Sequence, residues 1–183
     1  MISRIIALLL LIILSPFILL VAVIILIEDG APVFFKQKRV GQNNSFFWMY
    51  KFRSMKNDTP NVATHLLYEP DKYLLRIGKV IRKISFDEIP NLINITKGEM
   101  LFVGPRPALY NQEDLLQMRK SNGIDFLKPG LTGWAQVNGR DENSLDEKIN
   151  LENFYLANQS IYLDMKIIFL TFYNVLFSKG IKH

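Results

Sequence analysis

Hydrophobic and polar positions divide the chain at one sharp boundary. Between residues 5 and 27, 21 of 23 positions are apolar, and the exceptions are the adjacent pair Ser15-Pro16. A run of this kind predicts a membrane helix, roughly 34 Å long if straight. It ends in Ile25-Leu26-Ile27-Glu28-Asp29-Gly30, without the small-residue cleavage site of a secretory leader. Pro16 has no N–H and crowds the preceding turn, so a kink is expected there, with Ser15 placed to satisfy a freed carbonyl. Two topologies stay open on these residues: a spanning anchor, and a hairpin that enters and leaves on one face. Lys36, Lys38 and Arg39 follow the run while Arg4 precedes it, so the remaining chain is expected on the cytoplasmic side.

Beyond residue 29 the pattern shortens. Val33-Phe34-Phe35, the turn residues Gly41-Gln42-Asn43-Asn44 and then Phe46-Phe47-Trp48-Met49-Tyr50 predict a β-hairpin. Residues 57–70 hold Asn57, Asp58, Pro60, Asn61 and Pro70 and predict an exposed loop. A helix is expected over 71–83, with Leu74, Leu75, Ile77 and Ile81 apolar and Arg76, Lys79, Arg82 and Lys83 forming a basic face. A second helix is expected over 89–96, stopped by Lys97-Gly98. Pro105-Arg106-Pro107 predicts a stiff turn, 111–121 a helix, and 129–133 a loop. Residues 144–177 read as helical, with Ile161, Tyr162, Met165, Ile168, Phe169, Phe172, Tyr173 and Leu176 on one broad face. Such a face suits core packing, or a helix lying in the membrane interface. The sum is an α-rich α+β protein: a hydrophobic membrane element over 1–29, then one domain over 30–183 with a short hairpin and amphipathic helices.

Charge and composition narrow the chemistry. The 183 residues include 22 Lys+Arg against 17 Asp+Glu, a formal charge of +5, and no cysteine. The absence of cysteine excludes a disulfide scaffold, a thiolate metal site and a cysteine nucleophile. The only histidines are His65, in the polar loop, and His183, at the terminus. No Gly-rich phosphate loop or His-Glu-x-x-His motif occurs. The basic residues are not strung along a groove-reading helix, so no nucleic-acid partner is expected.

The stretch Arg82-Lys83-Ile84-Ser85-Phe86-Asp87-Glu88-Ile89-Pro90 stands out. Ser85-x-x-Glu88 matches a capping box, and Asp87 could be an N-cap, which would be a purely structural use. In either case two carboxylates lie in the first turn of a helix, where the dipole and Arg82 should favour the ionised form. An ionised Asp87 is a nucleophile that needs no base. Adjacent carboxylates cannot flank a sugar as a glycosidase pair does, but they suit a nucleophile beside a hard divalent cation such as Mg²⁺. Carboxylate attack on a phosphodiester meets charge repulsion, and Lys51, Arg82, Arg106 and Arg140 are the cations available to relieve it.

Asp87-Glu88 together with Gly104-Pro105-Arg106-Pro107 resembles the bacterial sugar transferases, the small monotopic phosphoglycosyl transferases that initiate capsule, O-antigen and other glycan assembly, lipopolysaccharide included. The similarity extends over Ser15-Pro16, Phe35-Lys36-Gln37-Lys38-Arg39-Val40-Gly41, Tyr50-Lys51-Phe52-Arg53-Ser54-Met55, Gly78-Lys79-Val80-Ile81-Arg82-Lys83, Lys97-Gly98-Glu99-Met100 and Lys128 to Arg140, nearly the whole chain. The long members carry additional amino-terminal membrane helices, and this chain resembles the minimal form. The resemblance implies a re-entrant helix broken at Ser15-Pro16, which keeps the protein on the cytoplasmic face of the inner membrane, among its phospholipids. It implies transfer of a phosphosugar from a UDP-sugar to undecaprenyl phosphate, with Asp87 as nucleophile and UMP as leaving group. By position, Asp87 and Glu88 would frame Mg²⁺, Arg82 and Arg106 would hold phosphates, and Lys51, Gln136, Arg140 and Asp164 would complete the pocket. Residues 59–64 and 107–112 are similar to a branch that uses a UDP-linked 2-acetamido-6-deoxy sugar. A homodimer is compatible with all of this. The competing readings are a membrane-anchored metal-dependent phosphoester hydrolase and a noncatalytic membrane-binding module.

Overall fold

A computed structural model describes residues 1–60, 69–139 and 143–177. The apolar run forms one helix, α1 (Ile2–Asp29), with Pro16 inside it. Pro16 cannot donate to the carbonyl of Ile12, and the Ser15 hydroxyl donates to that oxygen instead at 2.7 Å. The helix therefore continues through the pair where a break is expected, its one missing bond replaced by a side chain.

From Ile5 to Ile27 every position of α1 but Ser15 and Pro16 is apolar, yet only one stripe is packed. Ala7, Leu10, Leu11 and Leu14 lie against Phe47, Met49, Leu92, Ile95 and Met100. Ile18, Val21, Ala22 and Ile25 lie against Phe52, Leu75, Ile77, Ile81 and Phe86. The spacing of Ala7, Leu11, Leu14, Ile18, Val21 and Ile25 is that of a helical seam. The opposite face, with Leu9, Ile12, Ile13, Leu19, Leu20 and Ile27, is exposed. An apolar helix with one packed and one bare face suits a boundary between protein and lipid. Both ends are tied to the domain. The Arg4 guanidinium lies over Gly98. Glu28 accepts from the N–H of Arg76 at 2.5 Å and of Ile77 at 3.2 Å, and Asp29 accepts from Arg53 at 2.6 Å and from the N–H of Asn57 at 2.9 Å.

The hairpin forms as β1 (Phe34–Val40) and β2 (Phe46–Phe52), paired antiparallel with Phe34 opposite Phe52 and Val40 opposite Phe46. Its alternation turns Phe47 and Met49 inward and leaves Phe46 and Trp48 exposed. A third strand, β4 (Ala108–Leu109), pairs with the other edge of β1. The expected loop over 57–70 lies largely outside the described residues. The helix expected over 71–83 is shorter: a 3₁₀ turn at Pro70–Tyr73, two extended residues, then α2 (Arg76–Lys83). Its first N–H groups are capped by Glu28 from outside, and Gly78 packs against the backbone of Ser54, leaving no room for a Cβ. The next helix also differs from expectation. Residues Phe86–Asn91 form a 3₁₀ helix that contains Pro90, and α3 (Leu92–Lys97) follows, stopped at Gly98 with φ of 84°.

The remaining elements build the second half of the core. The expected loop at 129–133 is in fact a strand: β3 (Leu101–Val103) and β5 (Gly130–Thr132) pair in parallel. After β4 come α4 (Glu113–Ser121), then β5, α5 (Trp134–Val137), α6 (Leu145–Ala157) and α7 (Ile161–Leu176). The single helix expected over 144–177 is thus two, parted at Asn158-Gln159-Ser160. Local capping is the reason: the Ser160 hydroxyl accepts from the N–H of Leu163 and starts α7 afresh. Leu163 and Ile167 bury one face of α7 against Val103 and Tyr155, while Ile161, Tyr162, Met165, Phe169 and Phe172 are exposed. Core packing therefore holds for one face of this helix, and the other face is apolar and exposed.

Candidate active site

Lys51 lies on the inward-turning face of β2, with Phe47 and Met49, near the strand's end. The 3₁₀ helix 86–91 packs against this strand, with Phe86 stacked on Phe52 at a ring separation of 6.3 Å. That packing brings Asp87 and Glu88 to Lys51. Lys51 Nζ donates to Glu88 Oε1 at 2.7 Å, and Arg106 Nη2 donates to the same oxygen at 3.3 Å. The Lys51 and Glu88 side chains are 17% and 15% exposed, so the pair is largely withdrawn from water. Arg82, on the last turn of α2, lies close enough to act electrostatically on Asp87.

The capping reading of this stretch fails. Ser85 adopts a left-handed conformation with φ of 55° and makes no side-chain cap bond, and Glu88 is engaged by Lys51 and Arg106 instead. The electrostatic expectation for Asp87 is also corrected. Burial raises its pKa above the ordinary 3.8 and the neighbouring Glu88 raises it further, against the opposing pull of Lys51 and Arg82. A short 3₁₀ turn has little of the aligned dipole that the sequence argument relied on. Burial also pushes the Lys51 ammonium down, with Arg106 adding to it and Glu88 opposing. The result is an asymmetric dyad. Glu88 has two cations on one oxygen, and Asp87 is a carboxylate of raised basicity beside it, which favours attack on an electrophile.

Asp87, Glu88, Lys51, Arg82 and Arg106 are thus brought together. Gln136 stands apart on α5. Its Nε2 donates to the Leu131 carbonyl at 3.3 Å and its Oε1 is buried with no hydrogen-bond partner among the described residues. Asp164 accepts from the Tyr155 hydroxyl at 2.8 Å, and burial together with Asp164 raises the Tyr155 pKa. No contact joins Asp164 to the dyad among the interactions of the described residues. Arg140, His65 and His183 lie outside the described residues.

One residue at the site escaped the sequence reading. Arg39 donates from Nη1 to the Pro107 carbonyl at 3.0 Å and from Nη2 to Gln37 Oε1 at 2.6 Å. Burial, with Arg106 beside it, lowers its pKa to about 10 against the pull of Glu88. The hairpin alternation holds the missed signal: Phe35 faces Lys51 across the ladder and Arg39 faces Phe47, so Arg39 and Lys51 share a face.

Among the described residues no group of three or more His, Asp or Glu side chains could cage a metal ion. The donor set of Asp87 and Glu88, two hard carboxylates, does fit Mg²⁺ held jointly with substrate phosphates, its usual mode.

The family model for bacterial sugar transferases matches residues 1–178. The chain is similar to the uncharacterized sugar transferase EpsL of Bacillus subtilis, 43% identical over 154 residues, covering 84% of this chain and 74% of that one. It is 39% identical over 165 residues to the undecaprenyl-phosphate glucose phosphotransferase of Komagataeibacter xylinus, covering 84% and 31%. It is 36% identical over 163 residues to the UDP-N-acetylgalactosamine-undecaprenyl-phosphate N-acetylgalactosaminephosphotransferase of Aeromonas hydrophila, covering 84% and 38%. The chain spans about a third of the length of those last two relatives.

Proposed function

The chain belongs to the bacterial sugar transferase family and is a phosphoglycosyl transferase, and on that footing we propose that it moves a phosphosugar from a UDP-sugar to undecaprenyl phosphate through Asp87. The observation that carries this is the grouping of a basic Asp87 with Glu88, Lys51, Arg82 and Arg106. An Asp87 carboxylate oxygen bonds to the sugar-bearing phosphorus. The bond from that phosphorus to the bridging oxygen breaks, and UMP leaves with the electron pair. A phosphate oxygen of undecaprenyl phosphate then attacks the same phosphorus and displaces the Asp87 carboxylate. Arg82 and Arg106 hold the phosphates and Lys51 holds Glu88 in place. Asp87 and Glu88 would hold Mg²⁺, which supplies charge neutralisation of the diphosphate.

Relatives bear the names of glucose, galactose and N-acetylgalactosamine transferases. For this chain the donor proposed is a UDP-linked 2-acetamido sugar, 6-deoxy at C6. A pocket distinguishes one such group by only about 1–3 kcal/mol, so a modest spread of accepted sugars is expected. The deciding experiment is incubation with a panel of UDP-sugars and polyprenyl phosphate, following UMP. UMP release beyond one equivalent should require the lipid phosphate. Continuing turnover to free sugar phosphate without lipid would establish a hydrolase instead.

The same reading places the protein on the cytoplasmic face of the inner membrane, with α1 re-entrant. Supporting this, Arg4 at one end of α1 and Glu28 and Asp29 at the other all contact the one domain. A cysteine at residue 2 and one at residue 58 should both be labelled only when the cytoplasmic face is opened. Labelling of residue 2 from the other side would establish a spanning helix.

A further inference from the structure

The Pro105-Arg106-Pro107 turn presents Arg106 to Glu88, yet it has few means of holding itself. Its two prolines lack an N–H, so the segment can be anchored chiefly through its carbonyls. All three accept a hydrogen bond from outside the turn. Pro105 accepts from the N–H of Gly130 at 2.9 Å, Arg106 from Arg119 Nη2 at 2.9 Å and Pro107 from Arg39 Nη1 at 3.0 Å.

The middle donor is unusual. Arg119 of α4 is 7% exposed and Glu152 of α6 is 2% exposed. Glu152 accepts from Arg119 twice, from Nε at 2.8 Å and from Nη2 at 2.5 Å, so the guanidinium is locked in a planar fork. A buried ion pair of this kind is weak support for stability, because apolar residues of similar volume often do as well or better. A guanidinium held rigidly does one thing an apolar pair cannot: it aims a donor at the Arg106 carbonyl.

We propose that Glu152 and Arg119 are positioning residues for the transfer reaction, fixing the backbone of Arg106 and through it the cation that meets Glu88 and the donor phosphates. This rests on the phosphate-holding role given to Arg106 above. Glu152 acts on Arg119, Arg119 on the Arg106 carbonyl, and the Arg106 side chain on the site. Neither Glu152 nor Arg119 needs to touch substrate.

The pair can be removed without leaving a lone buried charge, in the double variant Arg119→Met/Glu152→Leu of the full chain. It should fold with a thermal midpoint near or above that of the wild type. Its kcat/KM for UMP release should fall about ten- to a hundredfold, the scale expected when a catalytic group is misplaced by about an ångström. Amide hydrogen exchange in the 101–109 segment should quicken. Added to Arg106→Ala, the double change should cost nothing further, because its effect passes through Arg106. A folded double variant with wild-type kcat/KM and unchanged exchange would overturn the proposal, as would an equal loss in the Arg106→Ala background. Should the double variant not fold, Arg119→Lys gives the same reading, since one ammonium retains the charge but cannot fork between Glu152 and the Arg106 carbonyl. If the wild type releases no UMP from any donor, the functional reading fails, and the exchange measurement alone decides whether the pair fixes the turn.

Discussion

Two four-residue stretches of this chain are nearly the same. Ser85-Phe86-Asp87-Glu88 and Ser144-Leu145-Asp146-Glu147 share three of four residues, and both match the capping-box pattern. The second forms the box: the Ser144 hydroxyl accepts from the N–H of Glu147, and the Glu147 carboxylate accepts from the N–H of Ser144 at 2.8 Å. The bond from the Ser144 N–H, with another from the Ser144 hydroxyl to the same carboxylate oxygen at 2.9 Å, lowers the Glu147 pKa. The first forms no box. Pro90 lies two residues past Glu88, the segment winds as a 3₁₀ turn, and Lys51 and Arg106 claim the glutamate. The same letters cap a helix where the surroundings are water and become a site where two cations and a strand close over them. The discriminating signal lay in the partners, distant in sequence.

The largest separation between the two stretches should be in catalysis. Asp87→Asn should abolish UMP release and lipid product by several orders of magnitude, since an amide is not a competent nucleophile. Asp146→Asn should leave turnover unchanged. Given donor and no lipid, the wild type should release UMP up to one equivalent and the peptide containing Asp87 should gain the mass of a phosphosugar. Label on another peptide would move the nucleophile elsewhere. Glu88→Gln should inactivate too, and Glu147→Gln should not. Activity should vanish with a chelator and return with Mg²⁺, whereas full activity under thorough chelation would remove the ion from the dyad.

A middle-sized effect is expected in pH dependence. Asp87 must be ionised to attack, and burial and Glu88 raise its pKa, so the acid limb of the kcat/KM profile should lie above the ordinary 3.8. Lys51 opposes that rise, so Lys51→Met should shift the limb to still higher pH in whatever activity remains. The stability linkage runs the same way: a carboxyl raised in the folded state binds its proton more tightly there. Folding should therefore gain from Asp87 as pH falls through its raised pKa towards 3.8, opposite in sign to an ordinary salt-bridged aspartate. Comparing denaturation midpoints of the wild type and Asp87→Asn across that window checks it.

The smallest effect should be in stability at the two serines. Ser144→Ala loses a working cap and should cost about 1 kcal/mol. Ser85→Ala loses no cap bond. Ser85→Gly should stabilise by up to about 1 kcal/mol, because it relieves a left-handed backbone at φ of 55°. Thermal unfolding of the three variants gives the comparison, and a larger loss from Ser85→Ala than from Ser144→Ala would reverse it.

Much of the site was legible because its parts carry local marks. The apolar run, the hairpin, the stop at Gly98 and the Pro-Arg-Pro turn all follow from composition over a few residues. Lys51, Arg82 and Arg106 could be named as cations in search of a phosphate. What escaped depends on contacts far apart in sequence. Arg119 reads as a basic residue in the last turn of a surface helix, and only the packing of α4 on α6 shows it buried against Glu152. Residues 130–132 read as a loop because three residues carry no period, yet they pair with β3 from 29 positions away. The break at 158–160 lay in polar residues inside a long helical pattern, where a cap and a solvated turn look alike until the N–H of Leu163 finds Ser160. Gln136 and Asp164 came from resemblance alone, and the structure gives each a partner away from the dyad.

The packed stripe of α1 bears on how the enzyme can be made and handled. Ala7 and Ile25 are completely buried, and they close the clusters that hold Phe47, Leu92, Phe52 and Ile81. A fragment beginning at residue 30 would leave those side chains with water where a helix belongs, and Glu28 and Asp29 would no longer hold α2 and Arg53. Such a fragment cannot serve as a soluble surrogate for the catalytic domain. Folding of the domain therefore depends on α1, because the residues that follow it complete their interior only by packing along that helix. Extraction must therefore preserve that seam, and a detergent that competes for the bare face of α1 must not compete for the packed one.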